Sequence, residues 1–476
     1  MLTSPEHIII VTITNKTIFR VLKDDKLFLW EPFSERNAGA YNIDRNLYKN
    51  KFGNKIQFEE TNNDLGLTFR YKWAFSDDFG FVKYAEVENG SGSAIEIEVV
   101  DGLQNLLPTG VNSSLQETRS TLVDAYKKNE LVPESGLGVL SLSAMIVDKA
   151  EPSEALSATT VWSKGLTSPK YLMSSNQLDA FRRGEELTQE DFTKAIKAAY
   201  FVNAKFILEA NSSQKWYTVA EVNQSSAKVL DLNRRISGAT DLLSEINTDV
   251  KLGTSNLEKL VGLSDGLQKG HDKLSTTRHY SNVLFNIMRG GIFEDQYALD
   301  IHDLLDYVKT INLKVYKQHN NFFKELPQGL TYAKLLELAK NVGDHSLLRI
   351  CTEYLPISFS RRHGDPSRPW NYFNIDITDD QGHKKHNYEG NWRDIFQNWE
   401  ALAFSFPGYI EGMITKFVNA STIDGYNPYR ITREGIDWEI IEPDDPWSYI
   451  GYWGDHQIIY LLKLLELSAS YHPGRL

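Results

Sequence analysis

Leu67-Thr68-Phe69-Arg70-Tyr71-Lys72-Trp73-Ala74-Phe75 is the stretch on which the reading of the fold turns. Leu67, Phe69, Tyr71, Trp73 and Phe75 alternate with Thr68, Arg70 and Lys72. That period of two sets one face of a strand into a core and the other into water. Ile95, Ile97 and Val99 alternate with Glu96 and Glu98 in the same way. Asn89-Gly90-Ser91-Gly92 precedes this second run and reads as the turn of a hairpin. Residues 26–30, 138–147, 159–163, 200–208 and 216–222 read as further strands, and 176–183 and 189–197 as short helices. So many strands over about the first 225 residues predict a large antiparallel sandwich.

Outward from that region the period changes. Ile301, Leu304, Leu305, Val308, Ile311 and Val315 recur at steps of three and four, the apolar stripe of an amphipathic helix. Helices are also expected over 332–342, 346–354, 392–404, 408–419 and 456–468. The pattern divides the chain into a β-sandwich domain (1–225), a helical linker rich in Ser, Asn, Asp and Lys (226–274) and a helical domain (275–476). Six of the ten tryptophans and eight of the 15 prolines lie beyond residue 350. The 361–390 stretch therefore reads as a long, stiff, aromatic loop, and loops of that length in compact domains tend to be functional.

Composition excludes several classes. The chain has 476 residues, 41% hydrophobic and 24% charged, which is globular usage, and its net charge is −12. A nucleic-acid partner calls for a basic stripe, and none is present. Cys351 is the single cysteine, which rules out an internal disulfide and fits a reducing compartment. No apolar run approaches ~18 residues, and 8–11 is too short for a secretory signal, so a cytoplasmic chain without a membrane span is expected.

Three segments carry residue types suited to chemistry. In Gly390-Asn391-Trp392-Arg393-Asp394-Ile395-Phe396-Gln397-Asn398 a helix begins. Asn391 as N-cap and Asp394 as an acidic third residue would explain the spacing by capping alone. A carboxyl walled by Trp392 and Phe396, however, would have its acid form favoured by desolvation, as a general acid toward a glycosidic oxygen requires. The second segment, Arg361-Arg362-His363-Gly364-Asp365-Pro366-Ser367-Arg368-Pro369-Trp370, is either a solvated charged loop or a sugar-reading one. In the latter, rings stack on the apolar sugar face while Arg362, Asp365 and Arg368 reach its hydroxyls. The third runs from Asp437-Trp438-Glu439 to Gly451-Tyr452-Trp453-Gly454-Asp455-His456. Asp455 there is either a helix cap or a substrate contact beside Trp453 and His456.

Other chemistries find little support. His383 and His386 stand in a Lys- and Gly-rich loop without a thiol, so no metal site is expected. Neither a Gly-x-Ser-x-Gly elbow nor a Gly-rich phosphate loop occurs.

The order of parts, the segment Asp77-Asp78-Phe79-Gly80-Phe81-Val82 with Glu96 to Leu107, and Trp392-Arg393-Asp394-x-x-Gln397-Asn398 together resemble the cellobiose-phosphorylase-like glycosidase clan. That clan joins a β-supersandwich through a helical linker to an (α/α)6 toroid. The resemblance implies that Asp394 is the catalytic general acid, with Trp392, Arg393 and Gln397 beside the sugar subsite. It implies glycosidic-bond cleavage on an oligosaccharide or glycoside, with no cofactor and with inorganic phosphate as co-substrate. An inverting hydrolase of the same clan and a catalytically silent carbohydrate-binding scaffold are the alternatives. About seven helices follow residue 274, where a full toroid needs about a dozen. The expectation is a partial toroid, the front part of a longer enzyme, whose uncovered apolar faces favour homo-oligomers.

Overall fold

The computed structural model describes residues 14–36, 38–146, 153–238, 241–358, 385–438, 443, 452–453 and 456–475. For 113–114, 391, 393–394, 452–453 and 456–457 it describes the backbone alone. The chain forms two compact units, 1–255 and 256–476.

The first unit is an antiparallel β-sandwich. Its smaller sheet has five strands, in the order Lys170–Leu172, Ala198–Leu208, Ile95–Leu106, Thr14–Lys23 and Lys26–Trp30. Its larger sheet has nine, with Leu67–Ser76 and Gly80–Asn89 near one end and Ser213–Ser225 beside them. Alternation places the apolar residues as the sequence implied, but Glu98, expected on the watered face, is buried and paired with Arg20 at 2.8 Å. Leu67, Phe69 and Tyr71 of the large sheet meet Phe19, Val21, Ile95, Ile97 and Val99 of the small one in a shared apolar core. Gly102 is needed where strands crowd, since a Cβ there would lie 2.0 Å from the Tyr200 carbonyl oxygen.

The end of the decisive strand departs from strict alternation. Phe75 is exposed and lies edge-on to Phe81 at 5.1 Å, whereas Ala74 is fully buried. The reason is a second apolar layer: Ala74, Phe79 and Val82 are covered by Ile236, Leu242, Ile246 and Val250. These come from helices Ser226–Ser237 and Leu242–Leu263, so the first part of the expected linker packs on the sheet. Asp249 of the second helix accepts the Asp77 amide at 2.8 Å and pins it there.

Two local expectations are corrected. Asn89 to Gly92 is no hairpin turn, because Gly80–Asn89 lies in the nine-stranded sheet and Ile95–Leu106 in the five-stranded one. The segment crosses between the layers, held by Asn89 Nδ2 donating to the Ser93, Leu208 and Glu209 carbonyls. The helix expected over 189–197 is instead strand Phe192–Lys194, paired with Lys127–Val132 at the sheet edge.

The second unit is mainly helical. Its longer helices are Lys273–Gly290, Ile301–Ile311, Tyr332–Val342, His345–Glu353, Trp392–Ser405, Ile410–Ala420 and His456–Tyr471. The apolar stripe expected along 301–315 is realised in part by buried Leu304, Val308 and Val315. Several helices start at side-chain caps, among them Asp300 on the His302 amide and Asp344 on the Ser346 and Leu347 amides. No described helix is long and apolar enough to cross a membrane.

Candidate functional site

The helix that carries Asp394 is positioned from outside by a small sheet. Strand Glu389–Asn391 pairs with Arg430–Thr432, which pairs with Gly435–Asp437. The Trp392 amide continues the ladder to the Tyr429 carbonyl at 2.9 Å, and the Arg433 amide closes it on Tyr388 at 2.9 Å. Arg430 binds all three strands, its guanidinium reaching Glu389 at 2.7 Å and Asp437 on the other side. The first residues of the helix are therefore set by backbone pairing and a charged cross-link.

The same segment ties in a second candidate region. Tyr426–Asn427, three residues before Arg430, pairs with Tyr452–Trp453. Tyr426 also stacks on half-exposed Trp438 at 5.8 Å. One short run, 426–432, thus holds the strand bearing Trp453 at one end and the entry to the Asp394 helix at the other. Three residues beyond Trp453, His456 is the first residue of the His456–Tyr471 helix.

From inside, the helix is held by aromatic packing. Trp392 and Phe396 stack on Phe417 at 5.4 and 4.7 Å, and both are fully buried. Their faces are committed to the core, so Trp392 offers none to a sugar and the two rings are not free to wall a pocket. At about 100° per residue, backbone position 394 lies roughly 200° round the helix from each of them. Exposed Gln397, one turn on, shares the side of position 394. Trp399 donates to the Gly290 carbonyl at 3.0 Å. Gly290 lets the two helices approach closely there, because a Cβ would lie 2.7 Å from the Asn398 Cβ and force one of them to shift.

The same unit holds a charged network centred on buried Arg433 and Lys416 that the sequence reading did not point to. Arg433 donates to Asp303 at 2.8 Å and Asp306 at 3.3 Å, while the Tyr354 hydroxyl donates to Asp303 at 2.6 Å. Lys416, on the inward side of its helix, has its amine 5.6 and 5.5 Å from the Tyr307 and Tyr388 ring centres. Burial pushes that amine down to about 8, against the opposing pull of Glu353. Burial likewise pushes the Tyr307 and Tyr388 phenols up. A lysine inside the apolar run Ile410-Glu411-Gly412-Met413-Ile414-Thr415-Lys416-Phe417 was the available sequence signal.

A fourth cluster joins Ser358 and His386. Ser358 is paired to Ile292 through both backbone hydrogen bonds. Its Oγ lies 3.1 Å from His386 Nδ1, and His386 Nε2 lies 3.8 Å from Asp295. Both Ser358 and His386 are buried.

Of the residues singled out from sequence, the structure brings together the helix start at Trp392, Arg393, Asp394 and Gln397 and the Trp453 strand, through 426–432. Arg393, Asp394, Trp453 and His456 are placed by their backbone. Arg362, Asp365, Arg368, Trp370 and Asp455 lie outside the described residues. Among the described residues no group of three His, Cys, Asp or Glu side chains is arranged to hold a metal.

Comparison with known proteins adds a family signal. Residues 293–356 match the model of glycoside hydrolase family 149 insertion domain 1. This segment supplies Asp303, Asp306 and Tyr354 to the Arg433 network, and the match agrees with the resemblance to the glycosidase and phosphorylase clan. No curated protein matches the chain. Among solved structures, a bacterial glucoamylase complexed with acarbose aligns at 9% identity over 90% of this chain and 66% of that one, with a TM-score of 0.35. A candidate kojibiose phosphorylase from the human microbiome aligns at 9% over 88% and 42%, TM-score 0.29. The family GH92 alpha-mannosidase BT3965 from Bacteroides thetaiotaomicron aligns at 9% over 86% and 60%, TM-score 0.27. The chain thus spans 66% of the first of these proteins and 42% of the second.

Proposed function

We propose that this chain is a carbohydrate-active enzyme that cleaves a glycosidic bond, with Asp394 as general acid and inorganic phosphate as the attacking co-substrate. In this reading Asp394 gives its proton to the leaving glycosidic oxygen as the bond from that oxygen to the anomeric carbon breaks. A phosphate oxygen forms the new bond to that carbon, and the products are a sugar phosphate and a shortened saccharide. Arg393, Gln397, Trp453, Asp455 and His456, with Arg362, Asp365, Arg368 and Trp370, contact the sugar or the anion. The helices of 275–476 form part of an (α/α)6 toroid. The enzyme works in the cytoplasm without a cofactor, as a homo-oligomer.

The observation that carries the reading is the run 426–432, which pairs with the Trp453 strand and with the strand entering the Asp394 helix. It gathers a carboxylate-bearing helix start and an aromatic segment around one rigid support. The family match at 293–356 supports the same class. A glycoside hydrolase is the second reading, in which an activated water replaces phosphate.

The test is product analysis on a panel of gluco-oligosaccharides with and without phosphate. Phosphate-dependent release of sugar 1-phosphate, lost in Asp394→Asn, is the expected result. Free sugar released in phosphate-free buffer selects hydrolysis. Equal turnover by wild type and Asp394→Asn removes the proposed acid, and the absence of turnover on every substrate leaves the scaffold reading in its place.

A further inference from the structure

The sandwich unit contains a cavity of about 310 Å³ beside the end of the Lys26–Trp30 strand, lined among others by Trp30, Ser34, Glu35, Tyr41, Arg45 and Glu60. This volume sits at the lower end of the roughly 300–1,000 Å³ typical of ligand pockets, enough for a ligand of one or two rings. It lies entirely within residues 30–60 and is independent of position 394.

The floor is built for rigidity. Glu60 is fully buried and accepts from Trp30 Nε1 at 2.8 Å, the Phe33 amide at 2.7 Å and Arg45 Nε at 2.8 Å. Three of the about four acceptor positions of its carboxylate are thereby filled. Glu31 beside it is buried against Arg182, at 3.0 and 3.1 Å, and Lys16. The Tyr41 hydroxyl donates to the Leu29 carbonyl at 2.8 Å, which fixes its ring as one wall.

The accessible groups differ in kind from the floor. Arg45 is nearly half exposed; Nη1 holds Glu35 at 3.0 Å and Nη2 reaches the Ser34 carbonyl at 3.4 Å, which leaves the second N–H of each outer nitrogen for a ligand. Ser34 adds a hydroxyl that both gives and takes hydrogen bonds. Glu31 is neutralised from behind by Lys16 and Arg182, while Glu35 and Glu60 share Arg45, so each lining carboxylate is already paired and, among the described residues, no uncompensated cation faces the cavity to draw an anion. Paired donors and acceptors on a fixed floor, with an aromatic wall, suit a neutral polyhydroxylated ring: hydroxyls meet the polar groups and C–H faces meet the ring.

We propose that this cavity is a binding site for a neutral saccharide end, separate from the site around Asp394. Arg45 is its principal contact, positioned by Glu60 from below and Glu35 from the side.

The experiment is calorimetric and saturation-transfer titration of the full chain with glucose, maltose and cellobiose, and with Ca²⁺ and inorganic phosphate alone. Ala38→Trp fills the cavity from its exposed wall, and Arg45→Leu removes the donor fork. Both positions are on the surface, and circular dichroism reports whether the variants remain folded. A saturable response to at least one sugar, weakened about tenfold or more in both variants and unchanged in Asp394→Asn, is the expected result. No saturable response to any of the three sugars overturns the proposal. So does a response equally strong in Ala38→Trp and Arg45→Leu, or one given by Ca²⁺ or phosphate alone and lost in those variants. Because Asp394→Asn serves as the control, failure here is distinct from failure of the proposed glycosidic chemistry.

Discussion

Arg430 Nη1 donates to Glu389 Oε1 across 2.7 Å, a diagonal link between the strand that enters the Asp394 helix and the strand beside it. The same guanidinium holds Asp437 on the next strand. The link ties the position of the helix start to a side chain 36 residues downstream of Asp394. Arg430→Gln keeps a polar group but loses the fork, and is expected to lower kcat/KM with little change in helix content. A double-mutant cycle with Glu389→Gln should return a coupling of about 1–2 kcal/mol in stability. Additive single effects would remove the cross-link as the positioning device.

Asp394→Asn should reduce turnover by about 10²- to 10⁴-fold, the range for loss of general acid catalysis. Substrates with good leaving groups, which need little protonation, should lose least. Rates measured on a leaving-group series test this directly.

Lys416 predicts a pH dependence of stability. Its folded-state value near 8 lies below the ordinary 10.5, so between these two the unfolded chain binds the proton more tightly. Stability therefore rises as pH increases from about 8 toward 10.5, and the charge is a cost at neutral pH. The gap corresponds to about 3 kcal/mol at most. Lys416→Met should raise stability at pH 7 and flatten this rise, as read from urea unfolding at a series of pH values.

The buried Lys83–Asp101 pair should behave in the opposite sense to a surface ion pair. Both side chains are fully inaccessible, 2.6 Å apart, and Asp101 also accepts from Thr17 at 2.6 Å and Trp216 at 2.7 Å. Asp101→Leu orphans three buried donors and is expected to cost about 3–5 kcal/mol. Added salt should leave the wild-type contribution nearly unchanged, because buried pairs are poorly screened.

Gly290→Ala drives a methyl to 2.7 Å from the Asn398 Cβ, against the helix that carries Asp394. Overpacking of this kind costs about 1–3 kcal/mol. A lowered melting temperature together with reduced activity is the expected pair of effects, and Gly290→Ala with wild-type stability would show that the two helices have room to separate.

The sandwich could be read from Leu67 to Tyr71 and from Ile95 to Ile97 because a half-buried strand writes its burial directly as alternation, a pattern already broken at Glu98, which is buried against Arg20. In the first of these strands the rule ended at Ala74 and Phe75, where helices bury the face that carries Ala74 while Phe75 on the opposite face is left exposed. Asn89 to Gly92 carried turn chemistry that a hairpin and a crossover share, so local residues left the pairing open. The helix start at Trp392 was legible from spacing, but not the fate of its ring, since stacking on a sugar and stacking on Phe417 call for the same residue.

Period and composition alone thus determined a β-rich first half, a helical second half, an acidic chain and a carboxylate at a helix start. Those properties depend on neighbours within a few residues. Tertiary structure decided which sheet each strand joined, that Arg430 and the 426–432 run support the Asp394 helix, and that Lys416 and Arg433 lie inside. Such pairings join residues tens of positions apart, and they are selected by packing volume, desolvation and hydrogen-bond satisfaction summed over a whole unit, which no local window of sequence contains.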